Sequence, residues 1–392
     1  MNSADRDRSM RGVDLKAAIL GCGLNVSETA LAQYGYPFLV KRRAYGNQDP
    51  VSLRAREIPQ EIYVGPEQLI TAVNVNLQSP WLLDFRSDSF VLVSPDNAEH
   101  AVSFPSHPRF YDAQLRTGQR VSQVLTLYGG SSLGVFAYGR CDLDTRGVAC
   151  QYCSIGPNRA KTNDFVLATR PKQLYEALTI SLNDPTVELS QVMLNGGNFP
   201  DMDRSFQHYV RLAECARAAI NASGRSIPLH MIVFPPRDLE LLDLFAGLDV
   251  QIAMNVEVFD SNLFRQYCPG KHALCGQTHI FNALIRAAEI LGEGQVFSIF
   301  VGGLEELGSL RRGIEFTASH NVVPVINVFH PDPETPLSAH PRPTPNQILA
   351  MGRCLQSIYS QRKFRPFYGG CGRNSVDNEA FLQLFDECES IG

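Results

Sequence analysis

Residues 133–153 read LGVFAYGRCDLDTRGVACQYC, an apolar run of strand length followed by three closely spaced cysteines. The cysteine spacing is Cys141-x8-Cys150-x2-Cys153, and the run before it, Gly134–Tyr138, predicts a β-strand. Thiolates on one loop can hold three corners of an iron–sulfur cluster, and without a fourth cysteine in the loop one iron stays open to a small molecule. The segment therefore predicts a strand that leads into a reactive metal site.

Three other interpretations of this motif stay open from the residues alone. A Cys-x2-Cys pair also occurs as half of a zinc site, as a redox pair or as plain buried thiols. The loop holds no histidine that would complete a zinc site, and a redox pair would open a helix without needing Cys141. The fold around the motif has to decide between them.

Downstream of residue 126 the chain alternates between strand-like and helix-like segments. The predicted strands are Gly134–Tyr138, Val187–Leu194, Ile227–Phe234, Val250–Phe259, Val296–Val301 and Val322–Phe329. The predicted helices between them are Lys172–Leu182, Ser205–Ile220, Leu239–Phe245, Phe281–Leu291 and Glu305–Ala318. A repeated strand–helix–strand pattern favours a parallel sheet, because each helix returns the chain to the same edge.

The predicted fold class is α/β, with a partial (β/α)6 TIM-like barrel, an N-terminal α/β accessory domain and a C-terminal helical extension. The corresponding domain bounds are residues 1–125, 126–345 and 346–392. Barrels of this type place their chemistry on loops at the carboxyl ends of the strands. The cysteine loop, the glycine pair after the second strand and His330 after the sixth all fall at that edge.

These residues resemble the radical S-adenosylmethionine (radical SAM) superfamily, and within it the biotin-synthase-like barrels. The resemblance spans residues 133–345 and is strongest at Cys150-Gln151-Tyr152-Cys153. It implies that Cys141, Cys150 and Cys153 ligate a [4Fe–4S] cluster. It also implies a second cofactor, S-adenosylmethionine, next to that cluster.

The resemblance assigns cofactor contacts to seven further residues. Tyr152 would lie beside the adenine, and Gly196 with Gly197 would let the methionine amino group approach the strand end. The remaining contacts implied are Asn198 after the glycine pair, Asn255 and Glu257 on the fourth strand, and Gly302 on the fifth.

This chain departs from the common pattern of the superfamily at two positions. The first cysteine gap is eight residues rather than three, so the loop must bulge, and Gly147 makes such a turn plausible. Asn198 stands where the superfamily usually has glutamate, and its amide oxygen accepts a hydrogen bond without charge assistance.

The resemblance implies an oxidoreductase or lyase. The enzyme would reductively cleave S-adenosylmethionine to a 5′-deoxyadenosyl radical, which abstracts hydrogen from a small-molecule substrate. Rearrangement, cleavage or ring formation would follow, and His330 is a candidate for proton transfer. The implied partner is a low-potential electron donor such as flavodoxin or ferredoxin.

Two alternative functions remain open. Cys268, Cys275 and Cys371 are possible ligands of an auxiliary cluster, which would suit a sulfur-inserting radical SAM enzyme. They are equally compatible with packed loops, because cysteine is often buried without a function. The other alternative is a non-catalytic zinc- or iron-binding scaffold.

Composition narrows the class of protein. The chain has 392 residues, 44% of them hydrophobic, and a formal net charge of −5. No long basic run predicts a nucleic-acid surface, and no apolar run approaches the ~18 residues of a membrane span. Ten cysteines without a secretory signal predict a reducing, cytoplasmic location.

Overall fold

The computed structural model describes residues 10–33, 60–160 and 166–386, and within them the chain builds two sheets. The first sheet has the order β1-β4-β5-β6-β2-β3 and is antiparallel except between β1 and β4. Its strands are β1 (Asn25–Val26), β2 (Glu61–Val64), β3 (Leu69–Ala72), β4 (Leu82–Arg86), β5 (Ser89–Val93) and β6 (Glu99–Ser103).

The second sheet is curled and mostly parallel, and strands that are neighbours in the chain are neighbours in the sheet. Its strands are β7 (Leu125–Tyr128), β8 (Ser132–Tyr138), β9 (Gln191–Gly196), β10 (Leu229–Ile232), β11 (Gln251–Ala253), β12 (Val296–Gly302) and β13 (Val323–Val328). Pairing is parallel from β8 to β13, and β7 alone runs antiparallel to β8.

Helices cover the outer face of the second sheet and close both ends of the described chain. They are α1 (Gly12–Cys22), α2 (Glu28–Leu31), α3 (Asp142–Thr145), α4 (Ile155–Ala160), α5 (Pro171–Leu182), α6 (Met202–Ala222), α7 (Ser261–Tyr267), α8 (Pro269–Leu274), α9 (Gly276–Leu291), α10 (Leu307–Ser319), α11 (Pro345–Arg362) and α12 (Asp377–Phe381). Short 3₁₀ helices occupy Arg109–Tyr111, Val121–Gln123 and Leu239–Phe245.

All six predicted parallel strands are present, with ends displaced by a few residues. The largest displacement is at β11, predicted as Val250–Phe259 and observed as Gln251–Ala253, and β9, predicted as Val187–Leu194, is observed as Gln191–Gly196. The predicted segment Leu239–Phe245 forms a 3₁₀ helix. A mixed α/β fold is therefore confirmed, whereas closure into a (β/α)6 barrel and the three domain bounds stay predictions.

Residues 331–345 after β13 contain six prolines, a composition that predicts a stiff extended linker, and we call them the proline-rich segment. Its backbone turns back on itself, with Thr335 N–H donating to Asp332 O and His340 N–H donating to Leu337 O. Leu337 N–H also donates to Gln151 O at 3.2 Å, so the segment packs on the cysteine loop. Proline fixes φ but is equally compatible with tight turns, which explains the difference.

A buried ion pair joins the first and last helices. Lys16 on α1 lies 2.7 Å from Glu379 on α12, and both side chains are almost fully buried. The same ammonium donates to Gly372 O at 2.6 Å. The pair therefore anchors the C-terminal loop that precedes α12.

The glycine pair at the end of β9 permits close approach of the loop that starts after β8. A Cβ on Gly197 would lie 1.9 Å from Arg140 O and 2.7 Å from Cys141 N. Asp142 N–H donates to Asn198 O at 3.0 Å, which fixes the two segments together. Any side chain at position 197 would displace the start of the cysteine loop.

No helix within the described residues combines the length and the apolar character that crossing a membrane requires.

We expect Lys16→Met to lower the free energy of unfolding by about 3–5 kcal/mol, because it leaves Glu379 as an uncompensated buried charge. Urea unfolding of the purified chain measures this. Arg311→Met is the control, since it breaks the exposed Arg311–Glu315 pair and should cost no more than about 0.5 kcal/mol. Equal losses in the two variants would contradict the anchoring role.

We expect Gly197→Ala to destabilise the fold by about 1–3 kcal/mol, because the added methyl overlaps backbone atoms that cannot rotate away. Gly308→Ala is the matched control, since a Cβ there has no neighbour closer than 3.9 Å. Thermal unfolding of both variants checks the difference. A Gly197→Ala variant as stable as Gly308→Ala would show that the loop can shift without cost.

Candidate active site

A cavity of about 340 Å³ lies at the carboxyl ends of the parallel strands, and we call it the strand-end cavity. Every strand from β8 to β13 contributes lining residues, either from its last positions or from the loop that follows. The predicted site residues in its wall are Cys141, Cys150, Tyr152, Cys153, Gly196, Gly197, Asn198, Asn255, Glu257 and His330.

One predicted residue is placed elsewhere. Gly302 is not part of the wall of the strand-end cavity. A Cβ on Gly302 would lie 2.7 Å from Ile326 Cγ2 and 2.7 Å from Met351 Sδ. The missing side chain at this position accommodates β13 and α11 rather than a ligand.

The three motif cysteines are half-buried and face the same cavity. The Cys141 thiol donates to Asn198 Oδ1 at 2.8 Å. Cys153 N–H donates to Cys150 O at 3.0 Å, which forms the tight turn of the Cys-x2-Cys segment. Across the described residues no three Cys, His, Asp or Glu side chains lie close enough together to hold a metal ion.

The motif thiols differ in the direction in which the protein shifts their pKa. Burial raises the pKa of Cys141 and of Cys153 above the ordinary value of a thiol. A hydrogen bond with the buried Cys268 thiol lowers the pKa of Cys150, and the same bond raises the pKa of Cys268.

A buried ion pair, Lys271 with Glu257, lies in the wall of the same cavity as the thiols. Lys271 Nζ lies 2.5 Å from Glu257 Oε1 and 3.3 Å from the backbone oxygen of Asn255. Burial opposes the charge on Lys271, but Glu257 outweighs burial and raises the pKa of Lys271 above its ordinary value. Loop lysines are mostly exposed, whereas the Lys271 side chain is only 12% exposed.

The backbone around this pair is unusual. Glu257 has a φ of 70°, a left-handed conformation that residues other than glycine rarely adopt. Its N–H donates to Ile299 O at 3.0 Å and its carbonyl accepts from Val301 N–H at 2.7 Å. The two hydrogen bonds to β12 hold Glu257 in this strained conformation, in which its carboxylate contacts Lys271. Nearby, Asn255 Oδ1 is buried and has no hydrogen-bond partner among the described residues.

A second cavity of about 330 Å³, the inner cavity, adjoins the first. Five residues line both cavities: Tyr152, Cys153, Ile155, Asn327 and Asn374. The rest of its wall combines the aromatic side chains of Tyr128, Phe136 and Tyr368 with Cys371 and Arg373 from the C-terminal loop. The two cavities together form a continuous site from the strand ends into the sheet interior.

Several polar atoms of the inner cavity have no hydrogen-bond partner in the structure. They are both amide atoms of Gln60, together with Asn195 Oδ1 and Asn374 Oδ1. Gln60 is only 7% exposed, so water does not compensate its amide freely. No pattern in the sequence points to Gln60, because its role depends on how the first sheet packs against the second.

His330 lies in the wall of the strand-end cavity. Its Nδ1 is 3.0 Å from Asp332 Oδ1, and its Nε2 is 3.4 Å from the Asn374 amide. The carboxylate fixes the ring orientation, as in proton-transfer sites. Its predicted role in proton transfer stays a prediction.

The three possible auxiliary cysteines are not brought together as one group. Cys268 is fully buried beside Cys150, with Tyr152 Oη at 3.8 Å. Cys275 lies against the backbone of α8, and Cys371 lines the inner cavity beside the hydroxyls of Ser132 and Ser190. Burial raises the pKa of Cys371 to about 12, so it stays a neutral thiol.

The residues of the strand-end cavity fit the cluster and S-adenosylmethionine that the resemblance implies. Three thiols in one wall match the soft ligands of an iron–sulfur cluster. The buried oxygen of Asn255 is an acceptor that lacks a donor, which suits the ammonium or hydroxyl groups of the cofactor. Gly196 and Gly197 have no side chains that would fill part of the strand-end cavity.

Comparison with models of known protein families finds no match. Among curated proteins, the chain is similar to bacteriochlorophyllide c C-7(1)-hydroxylase of Chlorobaculum limnaeum, with 22% identity over 257 residues. The match covers 60% of this chain and 63% of that protein, so the chain spans less than two thirds of its relative.

Solved structures with a similar fold include the [FeFe]-hydrogenase maturase HydG, with 11% identity and a TM-score of 0.44 over 59% of this chain and 51% of that one. Methylornithine synthase PylB matches at 14% identity and a TM-score of 0.42, covering 68% and 79%. A radical SAM methyltransferase from Sphaerobacter thermophilus matches at 13% identity and a TM-score of 0.46, covering 88% and 92%.

One of these neighbours is named as a radical SAM enzyme, and the cysteine and glycine motifs of this chain resemble that superfamily.

Proposed function

We propose that Cys141, Cys150 and Cys153 ligate a [4Fe–4S] cluster and that S-adenosylmethionine binds next to it in the strand-end cavity. The observation that carries this proposal is the wall of that cavity, where the three thiols meet the glycine pair and the unpartnered oxygen of Asn255. When bound, these groups supply a 5′-deoxyadenosyl radical that abstracts hydrogen from the substrate.

The protein's own residues position and shield the site. Asn255 and Asn198 offer amide oxygens to the cofactor, and Tyr152 presents an aromatic face between the two cavities. Glu257 contributes to the site indirectly. Its carboxylate forms an ion pair with Lys271 and so neutralises a buried cation next to the thiols. The proline-rich segment covers the cysteine loop through Leu337 and limits access of water.

We propose that the inner cavity holds the substrate, a small molecule with several hydrogen-bonding groups. A volume of about 330 Å³ lies at the lower end of the range for small-ligand pockets. Gln60, Asn195 and Asn374 offer a donor and several acceptors, and Arg373 is already paired with Glu61 at 3.8 Å. The cavity therefore suits a neutral polar molecule with an aromatic or apolar face.

The reaction class we propose is hydrogen abstraction followed by rearrangement, cleavage or ring formation. An external low-potential donor such as flavodoxin or ferredoxin would supply the electron. Sulfur insertion would need a second cluster, but Cys371 lines the inner cavity and neither Cys268 nor Cys275 does. The hydroxylation named for the curated relative is a further reaction to assay.

We expect the wild-type chain, reconstituted anaerobically with iron and sulfide and reduced with dithionite, to convert S-adenosylmethionine into 5′-deoxyadenosine. Cys150→Ala should give no product above background, because one cluster ligand is lost. Cys215→Ala is the matched control, since this thiol lies on the outer surface of α6 and should leave the yield unchanged. Chromatography of the nucleoside measures the result.

A colourless protein that holds zinc and forms no 5′-deoxyadenosine would replace this proposal with the scaffold function.

We expect Asn255→Leu to weaken S-adenosylmethionine binding by about ten- to hundredfold, since a hydrogen bond to a charged group contributes about 1.5–3 kcal/mol. Anaerobic calorimetry on the reconstituted, unreduced protein measures the affinity. Asn221→Leu, on the exposed face of α6, is the control. Unchanged affinity in Asn255→Leu, with unchanged iron content, would exclude a contact between Asn255 and the cofactor.

A further inference from the structure

A third cavity, of about 360 Å³, lies outside the proposed active site, and we call it the flank cavity. Two segments form most of its wall, residues 74–78 after β3 and residues 330–342 of the proline-rich segment. His330 and Asp332 belong to its wall and to that of the strand-end cavity. The flank cavity therefore reaches the site from the side of the first sheet.

Arg342 is a largely buried cation in this wall without an anionic partner. Its guanidinium has no ion pair within 4.0 Å among the described residues, and Nη1 is buried without a hydrogen-bond acceptor. Burial lowers the pKa of Arg342 below its ordinary value, although the nearby charge of Asp332 acts in the opposite direction. Buried arginines in folded proteins are normally paired, so this one lacks a counter-charge.

The position of the guanidinium is fixed by its neighbours. Gly23 has a φ of 71°, and a Cβ there would lie 3.4 Å from Arg342 Cζ. Arg342 is thus packed against the backbone at Gly23, which carries no negative charge to pair with the guanidinium and cannot easily shift.

A second donor faces the same cavity. Asn74 is only 6% exposed, and its Nδ2 is buried without an acceptor. Its backbone oxygen accepts from Leu24 N–H at 2.9 Å, which fixes the residue in place. An amide and a guanidinium in one wall, both short of acceptors, are complementary to an oxyanion.

The acidic group nearest to Arg342 is already engaged. Asp332 lines the cavity, but its Oδ1 lies 3.0 Å from His330 Nδ1. Its charge is shared with that ring and does not form an ion pair with Arg342. The wall therefore keeps an excess of donors over acceptors.

We propose that the flank cavity binds the phosphate or carboxylate group of a small molecule through Arg342 and Asn74. A planar guanidinium with two free N–H groups matches either anion in a bidentate arrangement. The bound anion would supply the counter-charge that Arg342 lacks. This site is independent of the cluster, so it exists in the chain before any cofactor is added.

The test is anaerobic thermal unfolding of the purified full chain as a function of anion concentration, at constant ionic strength because salt screens charge. The probes are sodium phosphate, sodium acetate and glycerol 3-phosphate, each compared with sodium chloride. We expect at least one of the first three to raise the unfolding temperature of the wild type in a saturable way. Similar responses to phosphate and glycerol 3-phosphate indicate a free anion, and a stronger response to glycerol 3-phosphate indicates an anionic tail.

Two variants separate binding from structure. Arg342→Gln removes the charge, so we expect the anion response to be lost. In chloride alone this variant should be at least as stable as the wild type, because no unpaired buried charge remains. Asn74→Ala should weaken the response while keeping the charge, and Arg312→Gln, which removes an exposed charge on α10, should respond like the wild type.

The proposal is overturned if none of the three anions stabilises the wild type beyond chloride. It is equally overturned if Arg342→Gln keeps the full response, or if Arg342→Gln is strongly destabilised in chloride, which would mean that the guanidinium already has a stabilising partner. None of these readouts uses cofactor cleavage, so failure here is distinguishable from failure of the proposed catalytic function.

Discussion

Parallel pairing of six consecutive strands is the constraint on which the rest of this structure depends. Because each crossover returns the chain to the same edge, the carboxyl ends of β8 to β13 all meet at one cavity. Residues as distant in sequence as Cys141 and His330 become neighbours for this reason. The glycine pair after β9 is part of the same constraint, since Gly197 admits the backbone of the cysteine loop.

The cations inside the molecule differ in whether a carboxylate pairs with them. Lys16 and Lys271 each lie within 3 Å of a carboxylate, and those pairs stabilise loops around the two cavities. Arg342 is only partly buried and has no ion pair within 4.0 Å among the described residues. The paired lysines therefore stabilise the fold, whereas we propose that the counter-charge of Arg342 comes from a bound anion.

The sequence predicted the parallel strands well because long apolar runs and the spacing between them are local signals. It also placed the cysteines, the glycine pair, Asn255 and His330 at one edge, since strand order alone determines that edge. Gln60 and Arg342 gave no signal, because their burial depends on packing between the first sheet, the second sheet and the proline-rich segment. Gly302 is the last residue of β12, but it packs against Ile326 and Met351, and the direction that a residue faces at a strand end is not encoded by a local pattern.

The ion pair between Lys16 and Glu379 connects residues 363 positions apart. Contacts with such a high sequence separation form late, because most of the chain has to be ordered before they can close. During synthesis on the ribosome, α1 emerges before α12, so Lys16 cannot pair with Glu379 until α12 has been made. The wall that Cys371 and Arg373 contribute to the inner cavity is therefore completed only after α12 has been synthesised.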